Sequence, residues 1–473
     1  MARSLSADNR APAGMVQHEV SGTRFRNETV GSDMWQSLER PDESQRLRVS
    51  YTVGSGSHAF GFLVQVQDHL FQSPVSYYTN RHLWDMAPGY EDSRNPDFSR
   101  PVTLECLTCH SGKALPKPDT LNSYQNPAFA NTGIGCDRCH GDPEHHLKSP
   151  VPGSIINPAK LAPAARDSIC EQCHLAGEIR IPNPGKGMED FHPGQRTEEV
   201  YTVYVASHPP GETIKVISHS EQLALSKCAR NSGGKLWCGT CHNPHETPTQ
   251  PAEYFRERCL SCHGTTLEST HAAPGRNCIA CHMPRRPAKD GGHTAFTDHR
   301  ISRRPEPEIE LAANAGLVAW REPDETVRDR NLALALINAG FENHTSEEVI
   351  RGFRMLTRME KNLSGDAAGL TTLGTVLLKG KQPTEAERRF ARALALRPNY
   401  APYEVNLAVA LIDTGQTQEA TQHLERAVRL DPLLQQAVEL LSRAYRTQDE
   451  AAKADEVLSS YRTAMGITLR NSK

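Results

Sequence analysis

The sequence has few of the residues from which a chain of its length normally builds its cores. Hydrophobic residues make up 37% of its 473 residues, and aromatic residues only 6%. These fractions are low for a chain long enough to form two or three domains. The sequence therefore predicts that something besides side chains fills part of the interior.

Other absences exclude classes of function. Lysine plus arginine (53) nearly balances aspartate plus glutamate (56), so the charge indicates no nucleic-acid partner. No window approaches 18 consecutive apolar residues, so we expect no membrane span in this chain. Residues 1–6 also lack the apolar stretch of an export signal.

One short pattern occurs six times instead. Twelve of the thirteen cysteines lie in Cys-x-x-Cys-His motifs, and chance would place far fewer than one such motif in this composition. The paired cysteines are Cys106 and Cys109, Cys136 and Cys139, Cys170 and Cys173, Cys238 and Cys241, Cys259 and Cys262, and Cys278 and Cys281. The histidines that follow them are His110, His140, His174, His242, His263 and His282.

This spacing predicts six covalently attached c-type haems. Two thiols three positions apart reach the two vinyl groups of one porphyrin, and the next residue presents its imidazole to the iron as the proximal ligand. Zinc sites of four thiolates are the alternative, but zinc does not require a histidine after every second cysteine. A thioredoxin-like motif would occur once, and a disulfide framework would not repeat this spacing.

Two further expectations follow from the cysteines. Cys228 lies outside the pattern, after a predicted short helix capped by Ser220, and we expect it to be a buried structural thiol. Haem attachment of this kind takes place outside the bacterial cytoplasmic membrane, so the motifs predict a periplasmic or extracellular, cell-surface protein. Because the export signal is missing, we expect that Met1 is not the natural start.

The second axial ligand decides whether an iron only passes electrons or also binds a small molecule. Thirteen further histidines precede the C-terminal region, enough for every haem to have two histidine ligands. Proline in Cys241-His242-Asn-Pro-His245 stiffens a turn that would direct the second imidazole towards a neighbouring haem. The candidate distal ligands are His58, His146 (with His145 as the competing choice), His219, His245, His293 and His299.

The patterning predicts a mainly α, multidomain protein. Alternating apolar residues from 47 to 66 predict a β-hairpin within a small strand-containing N-terminal segment, residues 1–100. Proline and glycine clusters predict short helices and loops in a hexahaem cytochrome c domain, residues 101–300. A helical linker or diverged repeat is expected over 301–366, before a repeat domain over 367–473.

A period of 34 residues identifies that repeat domain. It aligns Leu373 with Leu407 and Leu441, and Ala386 with Ala420 and Ala454, together with prolines at the ends of two repeats. These positions are typical of tetratricopeptide repeats, which stack into an α-solenoid. Two repeats (367–400 and 401–434) and a degenerate third (435–462) are predicted, with helices within 308–362 supplying an additional unit. A long amphipathic helical bundle is the alternative.

The chain resembles bacterial multihaem cytochromes with C-terminal tetratricopeptide repeats. Their haem domain is similar to that of the tetrahaem cytochrome that accepts electrons from hydroxylamine oxidoreductase. The resembling stretches are Gly54-Ser-Gly-Ser-His58, Cys136-Asp-Arg-Cys-His-Gly-Asp-Pro, Ser218-His-Ser-Glu-Gln-Leu, Gly234-Lys-Leu-Trp-Cys-Gly-Thr-Cys-His-Asn-Pro-His245 and His293-Thr-Ala-Phe-Thr-Asp-His299. Members commonly carry one more motif and an export signal upstream, so the resemblance implies a truncated sequence and a seventh haem in the complete protein.

These observations favour an electron carrier, in which closely packed haems relay single electrons and the repeats dock a redox partner protein. The alternative is a reductase of nitrite, hydroxylamine or another small oxyanion, with an open axial position on one haem. The sequence has no Cys-x-x-Cys-Lys motif, which marks the catalytic haem of the pentahaem nitrite reductases. A third hypothesis is a scaffold that assembles a respiratory complex through its repeats.

Overall fold

The computed structural model describes residues 2–4, 6–207, 214–270, 277–302 and 316–470. The chain forms two compact units. One unit comprises Met1–Gly135, Ile181–Glu189 and Pro323–Lys473, and we name it the sheet-repeat unit. The other comprises Cys136–Arg180 and Asp190–Glu322, and we name it the motif unit because it contains five of the six Cys-x-x-Cys-His motifs.

The described residues form strands and helices with the following bounds. The strands are β1 (Ala2–Ser4), β2 (Gly14–His18), β3 (Thr23–Val30), β4 (Asp33–Glu39), β5 (Glu43–Val53), β6 (Gly61–Val66), β7 (His69–Gln72), β8 (Val75–Tyr78), β9 (Leu83–Met86), β10 (Lys113–Pro116), β11 (Tyr124–Asn131), β12 (Ile179–Pro182), β13 (Tyr201–Ala206), β14 (Arg285–Pro287), β15 (Ala295–Thr297), β16 (Leu317–Ala319) and β17 (Ile467–Leu469). The helices are α1 (Leu104–His110), α2 (Asp137–His140), α3 (Glu144–Lys148), α4 (Pro163–His174), α5 (His219–Leu225), α6 (Lys227–Asn231), α7 (Cys238–Cys241), α8 (Pro251–Thr270), α9 (Cys278–His282), α10 (Glu325–Glu342), α11 (Ser346–Arg358), α12 (Ala367–Lys379), α13 (Pro383–Leu396), α14 (Ala401–Asp413), α15 (Thr417–Leu430), α16 (Gln435–Thr447) and α17 (Ala451–Ala464). Short 3-10 helices cover Ala7–Asn9, Thr79–Arg81, Pro158–Lys160, Met188–Asp190, Thr197–Glu199 and Glu360–Leu363.

An antiparallel sheet dominates the N-terminal part of the sheet-repeat unit. Its strand order is β2-β3-β4-β5-β6-β7, and both β1 and β17 also pair with β5. The predicted hairpin is confirmed, because β5 pairs with β6 and Val49 lies opposite Val64. Side chains alternate between buried and exposed along the first five residues of β3, and between buried and half-buried along β4, as expected of strands with one face on a core. The sheet is therefore larger than the hairpin that the sequence predicted.

The C-terminal helices form three antiparallel pairs at the predicted repeats. The pairs α12–α13, α14–α15 and α16–α17 fall within 367–400, 401–434 and 435–464. The repeated alanines are buried in the helix contacts, and Ala386, Ala420 and Ala454 are each 0% exposed. At Gly374, an added Cβ would lie 2.5 Å from the ring of Phe390, so only glycine allows this close helix approach.

A further antiparallel pair, α10 and α11, precedes the three repeats. It lies within the region where the sequence predicted an additional unit, although residues 308–315 are outside the described residues. The last helices also pack against the N-terminal sheet, because Leu433 and Tyr461 share one buried cluster with Phe25 and Phe62. The sheet thus covers the C-terminal end of the helical array.

The motif unit consists of short helices and small strand pairs. Strand β13 pairs with β16, and β14 pairs with β15. Two local predictions here are wrong. Ser220 lies inside α5, and Ser218 occupies its N-cap position. Cys228 lies on α6 and is half-buried rather than buried, so it is not a core thiol. No helix in the described parts of the chain is both long and apolar enough to cross a membrane.

Candidate functional site

Each Cys-x-x-Cys-His motif lies on a helix or at its end. A helix places residues i, i+3 and i+4 on one side, so both thiols and the imidazole face the same space. In α8 the motif ends at His263, and Gly264 then leaves the helical conformation with a φ of 67°. The motifs lie on or at the ends of α1, α2, α4, α7, α8 and α9. With this arrangement, the two thiols and the imidazole of one motif could contact a single planar group.

The motif cysteines are accessible. All twelve are half-buried or exposed, with Cys106, Cys136, Cys262 and Cys281 exposed. Free cysteine is among the most buried residue types in folded proteins, and structural thiols are normally enclosed. The exposure of these thiols therefore fits attachment to a group that packs against them.

The protein around three of the motifs lacks a side-chain core. Among the described side chains of 215–264 and 277–287, no hydrophobic residue is buried. These stretches contain the motifs that end at His242, His263 and His282. A segment of this length normally encloses apolar side chains, so a large apolar group in contact with the motifs fits the arrangement.

Two motif imidazoles face candidate distal histidines. The ring centroids of His140 and His245 are 5.9 Å apart, with an angle of 17° between the ring planes. Those of His242 and His299 are 6.1 Å apart, with an angle of 29°. Imidazoles on opposite sides of one metal ion, with bonds of about 2.0 Å, have ring centroids roughly 6 Å apart. Both separations fit two ligands of one iron.

A third motif imidazole lies beside His219. The centroids of His174 and His219 are 5.1 Å apart, and those of His219 and His299 are 4.8 Å apart. Burial and the neighbouring imidazoles of His299 and His174 lower the pKa of His219 to about 3. Its Nδ1 atom is buried and has no hydrogen-bond partner among the described residues. Neutral imidazoles are the form that ligates a metal, so the low pKa of His219 fits a ligand role.

Backbone carbonyl groups orient several of these rings. Nδ1 of His140 lies 2.7 Å from the Ile156 carbonyl oxygen, and Nδ1 of His282 lies 3.0 Å from that of Ser302. Nδ1 of His299 lies 2.9 Å from the Thr297 carbonyl oxygen. When Nδ1 donates its hydrogen to such a carbonyl group, Nε2 is left unprotonated for a metal.

The loop that carries His299 is fixed by a buried carboxylate. Asp298 is 2% exposed, and it accepts hydrogen bonds of 2.7 Å from both Arg286 and Arg300. Although burial opposes the effect, the hydrogen bonds from Arg300 lower the pKa of Asp298. The backbone N–H of His299 also donates to Gln222 at 2.8 Å. Sequence reasoning missed Asp298 and Gln222, although Asp298 directly precedes a candidate ligand.

The remaining candidates are placed differently. His146 lies on α3, and its Nδ1 is 2.8 Å from the hydroxyl oxygen of Ser154. His145 is exposed on the same helix. Nδ1 of His58 lies 3.0 Å from Nδ2 of Asn80 in the sheet-repeat unit. His293 is half-buried in the turn before β15. For these positions the distal-ligand assignment stays a prediction.

Thiols of consecutive motifs approach each other in two places. Cys170 and Cys238 are hydrogen-bonded, and this bond and burial raise the pKa of Cys170. Cys259 and Cys278 are also hydrogen-bonded, and burial followed by the charge of Cys278 raises the pKa of Cys259 to about 11. Among the described residues, no three His, Cys, Asp or Glu side chains converge as ligands of one metal ion. The two thiol pairs bring the third and fourth motifs, and the fifth and sixth, close together.

Two separate stretches of the chain match models of known protein families. Residues 85–141, which include the first two motifs, match the family model of cytochrome c554 and c-prime, and residues 377–443 match the tetratricopeptide repeat. No curated protein matches the chain. Solved structures with some similarity include MamA from Desulfovibrio magneticus RS-1, residues 41 to the end, which is 20% identical, with 29% of this chain and 77% of that chain covered and a TM-score of 0.26. A crystal structure of MamA is 17% identical over 30% of this chain and 82% of that chain, also with a TM-score of 0.26. The family matches support a cytochrome c with covalently bound haem c, together with tetratricopeptide repeats of the kind that bind other proteins.

Proposed function

We propose that this protein is a multihaem c-type cytochrome that relays single electrons between redox partners through six covalently attached haems. Each haem would be held by the two cysteines of one motif, with the following histidine as its proximal ligand. When bound, haem supplies a one-electron carrier whose potential depends on its ligands and surroundings. The chain's own residues would attach it and orient its ligands.

The observation that carries this proposal is the spacing of the imidazole pairs. His140 with His245 and His242 with His299 have the separation of two axial ligands on one iron. His174 with His219 is a third pair, with nearly perpendicular rings. An iron with two histidine ligands has no position for a substrate, so this pairing favours electron transfer over reduction of a small molecule.

The relay also requires that electrons pass from the haem of one motif to the haem of another. The thiol pairs Cys170–Cys238 and Cys259–Cys278 bring the attachment points of consecutive motifs together. The imidazole cluster of His174, His219 and His299 joins the third and fourth motifs at their ligand side as well. The carrier would therefore pass electrons within these two adjacent pairs.

The tetratricopeptide repeats would dock a redox partner protein. Stacked repeats present an extended concave surface, which is how such arrays bind other proteins. The N-terminal sheet packs on Leu433, at the end of the second repeat, and on Tyr461 of the third, so the partner would bind the remaining surface of α12–α16. A periplasmic or cell-surface location is part of the proposal, because covalent haem attachment takes place there.

An electron paramagnetic resonance spectrum of the oxidised, fully haem-loaded protein tests the proposal. The haem content per chain is first measured by absorbance of the pyridine complex, for which we expect six. We then expect only low-spin signals, unchanged by nitrite or cyanide. A chain without covalent haem would refute the proposal outright. A high-spin signal that shifts when cyanide is added would replace it with the alternative, a reductase with an open axial position.

A further inference from the structure

A buried glutamate lies between the two attachment cysteines of the third motif. Glu171 follows Cys170 directly, and it is 4% exposed. Glutamate is almost never this buried unless it is paired, because removing a carboxylate from water is costly. The position of Glu171 within the motif therefore requires a partner that the motif itself does not contain.

Arg321 is that partner. Its Nη1 donates to Oε2 of Glu171 at 2.6 Å, and its Nη2 donates to Oε1 at 2.7 Å. Nε1 of Trp320 donates to the same Oε1 at 3.0 Å. The planar guanidinium matches both carboxylate oxygens at once, which is the strongest form of such a pair and the one that lysine does not reproduce.

The segment that carries Arg321 is itself anchored in the motif unit. The backbone N–H of Trp320 donates to the carbonyl oxygen of Val203 at 2.8 Å, at the end of the β13–β16 pair. Nη1 of Arg321 also lies 3.2 Å from the hydroxyl oxygen of Ser168, which is 0% exposed. Arg321 thus fixes the last turns of α4, at the residues that lead into the motif.

The same guanidinium balances more than one negative charge. Oε2 of Glu198 lies 3.8 Å from Nη1 of Arg321, and Glu198 is 5% exposed. Arg196, on the solvent side, contacts the other oxygen of Glu198 at 3.4 Å. Removal of Arg321 would leave the buried carboxylate of Glu171 uncompensated next to the attachment point of a haem.

We propose that Arg321 is a positioning residue that holds the third motif through Glu171 and sets the reduction potential of the haem attached there. This inference rests on the proposed function, since it requires haem at Cys170 and Cys173. A nearby uncompensated negative charge stabilises oxidised iron relative to reduced iron, and an uncompensated positive charge does the opposite. The Arg321–Glu171 pair keeps these two effects balanced.

The direction in which the reduction potential shifts in charge-changing variants of the haem-loaded protein tests this proposal. In a reductive titration followed by absorbance, we expect Arg321→Gln to lower the sum of the six midpoint potentials and Glu171→Gln to raise it. The expected size is about tenfold in the oxidised-to-reduced ratio of one haem, or about 59 mV for one electron. The double variant should lie between the two single variants, because Arg321 also contacts Glu198. Arg397→Gln, which removes the exposed pair of Arg397 with Asp119, is the matched control and should change no potential.

The outcomes separate this inference from the proposed function. Wild-type protein without six haems would refute the proposed function before any variant is measured. Six haems with no opposite shifts in Arg321→Gln and Glu171→Gln would refute the inference alone. If Arg321→Gln does not fold, Glu171→Gln decides, and an unchanged or lowered potential would overturn the proposal. A merely structural pair would destabilise the protein in both variants without shifts of opposite sign.

Discussion

In the repeats, leucine and alanine side chains fill the space between helices, and Leu411, Leu424 and Ala427 are at most 1% exposed. Part of the motif unit contrasts with this, since the described side chains of 215–264 and 277–287 include no buried hydrophobic residue. Both regions belong to one chain with one overall composition. The comparison shows that buried hydrophobic residues are unevenly distributed, and that the described stretches without them contain three of the six motifs.

The difference also concerns what sets the position of each functional group. The repeat helices pair through regularly spaced small and large residues, so their arrangement follows from side-chain packing alone. In the motif unit, single polar contacts fix the imidazoles, such as that of His140 with the carbonyl oxygen of Ile156. Covalent cofactors would replace the missing core there, as fasteners do in other small cores.

The largest expected effect comes from preventing haem attachment. In a variant with alanine at all twelve motif cysteines, we expect the amide hydrogens of 215–302 to exchange almost as in an unfolded chain. The helices of 367–464 should keep their protection, because their core needs no cofactor. Hydrogen exchange with mass spectrometry of matched peptides measures both regions in one sample. Protection of 215–302 that equals the wild type would contradict the comparison.

The next effect in size concerns a buried ion pair in the sheet-repeat unit. Arg330 and Asp366 are each 6% exposed, and two hydrogen bonds of 2.8 and 2.9 Å join them. Asp366 also caps α12 by accepting the Gly369 N–H. Because Arg330→Met leaves Asp366 buried and unpaired, it should cost about 3–5 kcal/mol of unfolding free energy. Urea unfolding followed by helical circular dichroism measures this loss.

The exposed pair of Arg397 and Asp119 is the control for this prediction. The two side chains are 40% and 47% exposed, so Arg397→Met should cost at most about 1 kcal/mol. Neither variant should change the low-spin resonance signals of the haems, since Arg330 and Arg397 are neither motif residues nor candidate ligands. Equal costs for the two variants would show that burial does not control the strength of these pairs.

A smaller and more local effect is expected from the distal histidines. His245→Ala should convert one of the six irons to a high-spin form that binds cyanide, while the protein keeps its fold and all six haems. The reason is that His245 faces His140 at the separation of a ligand pair. Electron paramagnetic resonance with added cyanide detects the change. His192 is exposed, so His192→Ala should leave the spectrum unchanged. If His192→Ala changed the spectrum as well, the effect of His245→Ala would not identify His245 as a ligand.

The two regions also differ in how far the sequence predicts them. The repeats follow from the period of 34, because each helix pair is determined by nearby residues such as Leu407 and Ala420. The hairpin of β5 and β6 was predicted, but the strands β2–β4 were not, although residues of β3 alternate in the same way around Phe25. The addition of β17 to β5 could not be predicted, since three residues at 467–469 carry no signal for a partner more than 400 positions away.

The candidate site shows the same limit. The motif cysteines and the histidines that follow them could be identified from the sequence, because the pattern that they form is local. The contacts of His219 with His174 and His299 join residues that are 45 and 80 positions apart, so the sequence supplied only candidates for them. Glu171 and Arg321 are 150 positions apart and show no motif that links them.

The smallest predicted effect concerns the contact between the N-terminal sheet and the repeats. Asp68 lies 2.7 Å from Nδ1 of His69, and Nε2 of His69 contacts Asp431 of the repeats at 3.0 Å. Although burial opposes it, the hydrogen bond from Lys117 and the charge of His69 lower the pKa of Asp68. Asp68 therefore stabilises the fold above its ordinary pKa, about pH 4, and loses this contribution as the pH falls through its lower folded value.

Asp68→Asn should consequently be less stable than the wild type by at most about 1 kcal/mol at neutral pH, since Asp68 is about one-third exposed. The difference should shrink to nothing as the pH is lowered below 4. Paired urea titrations of the two proteins at each pH measure it, and titration of other groups cancels in the difference. If the difference in unfolding free energy grew on acidification, Asp68 would be stabilising in its protonated form. The contact between the sheet and the repeats would then depend on hydrogen bonding instead of charge. In either case the low-spin resonance signals should be unchanged in Asp68→Asn, because Asp68 is neither a motif residue nor a candidate ligand.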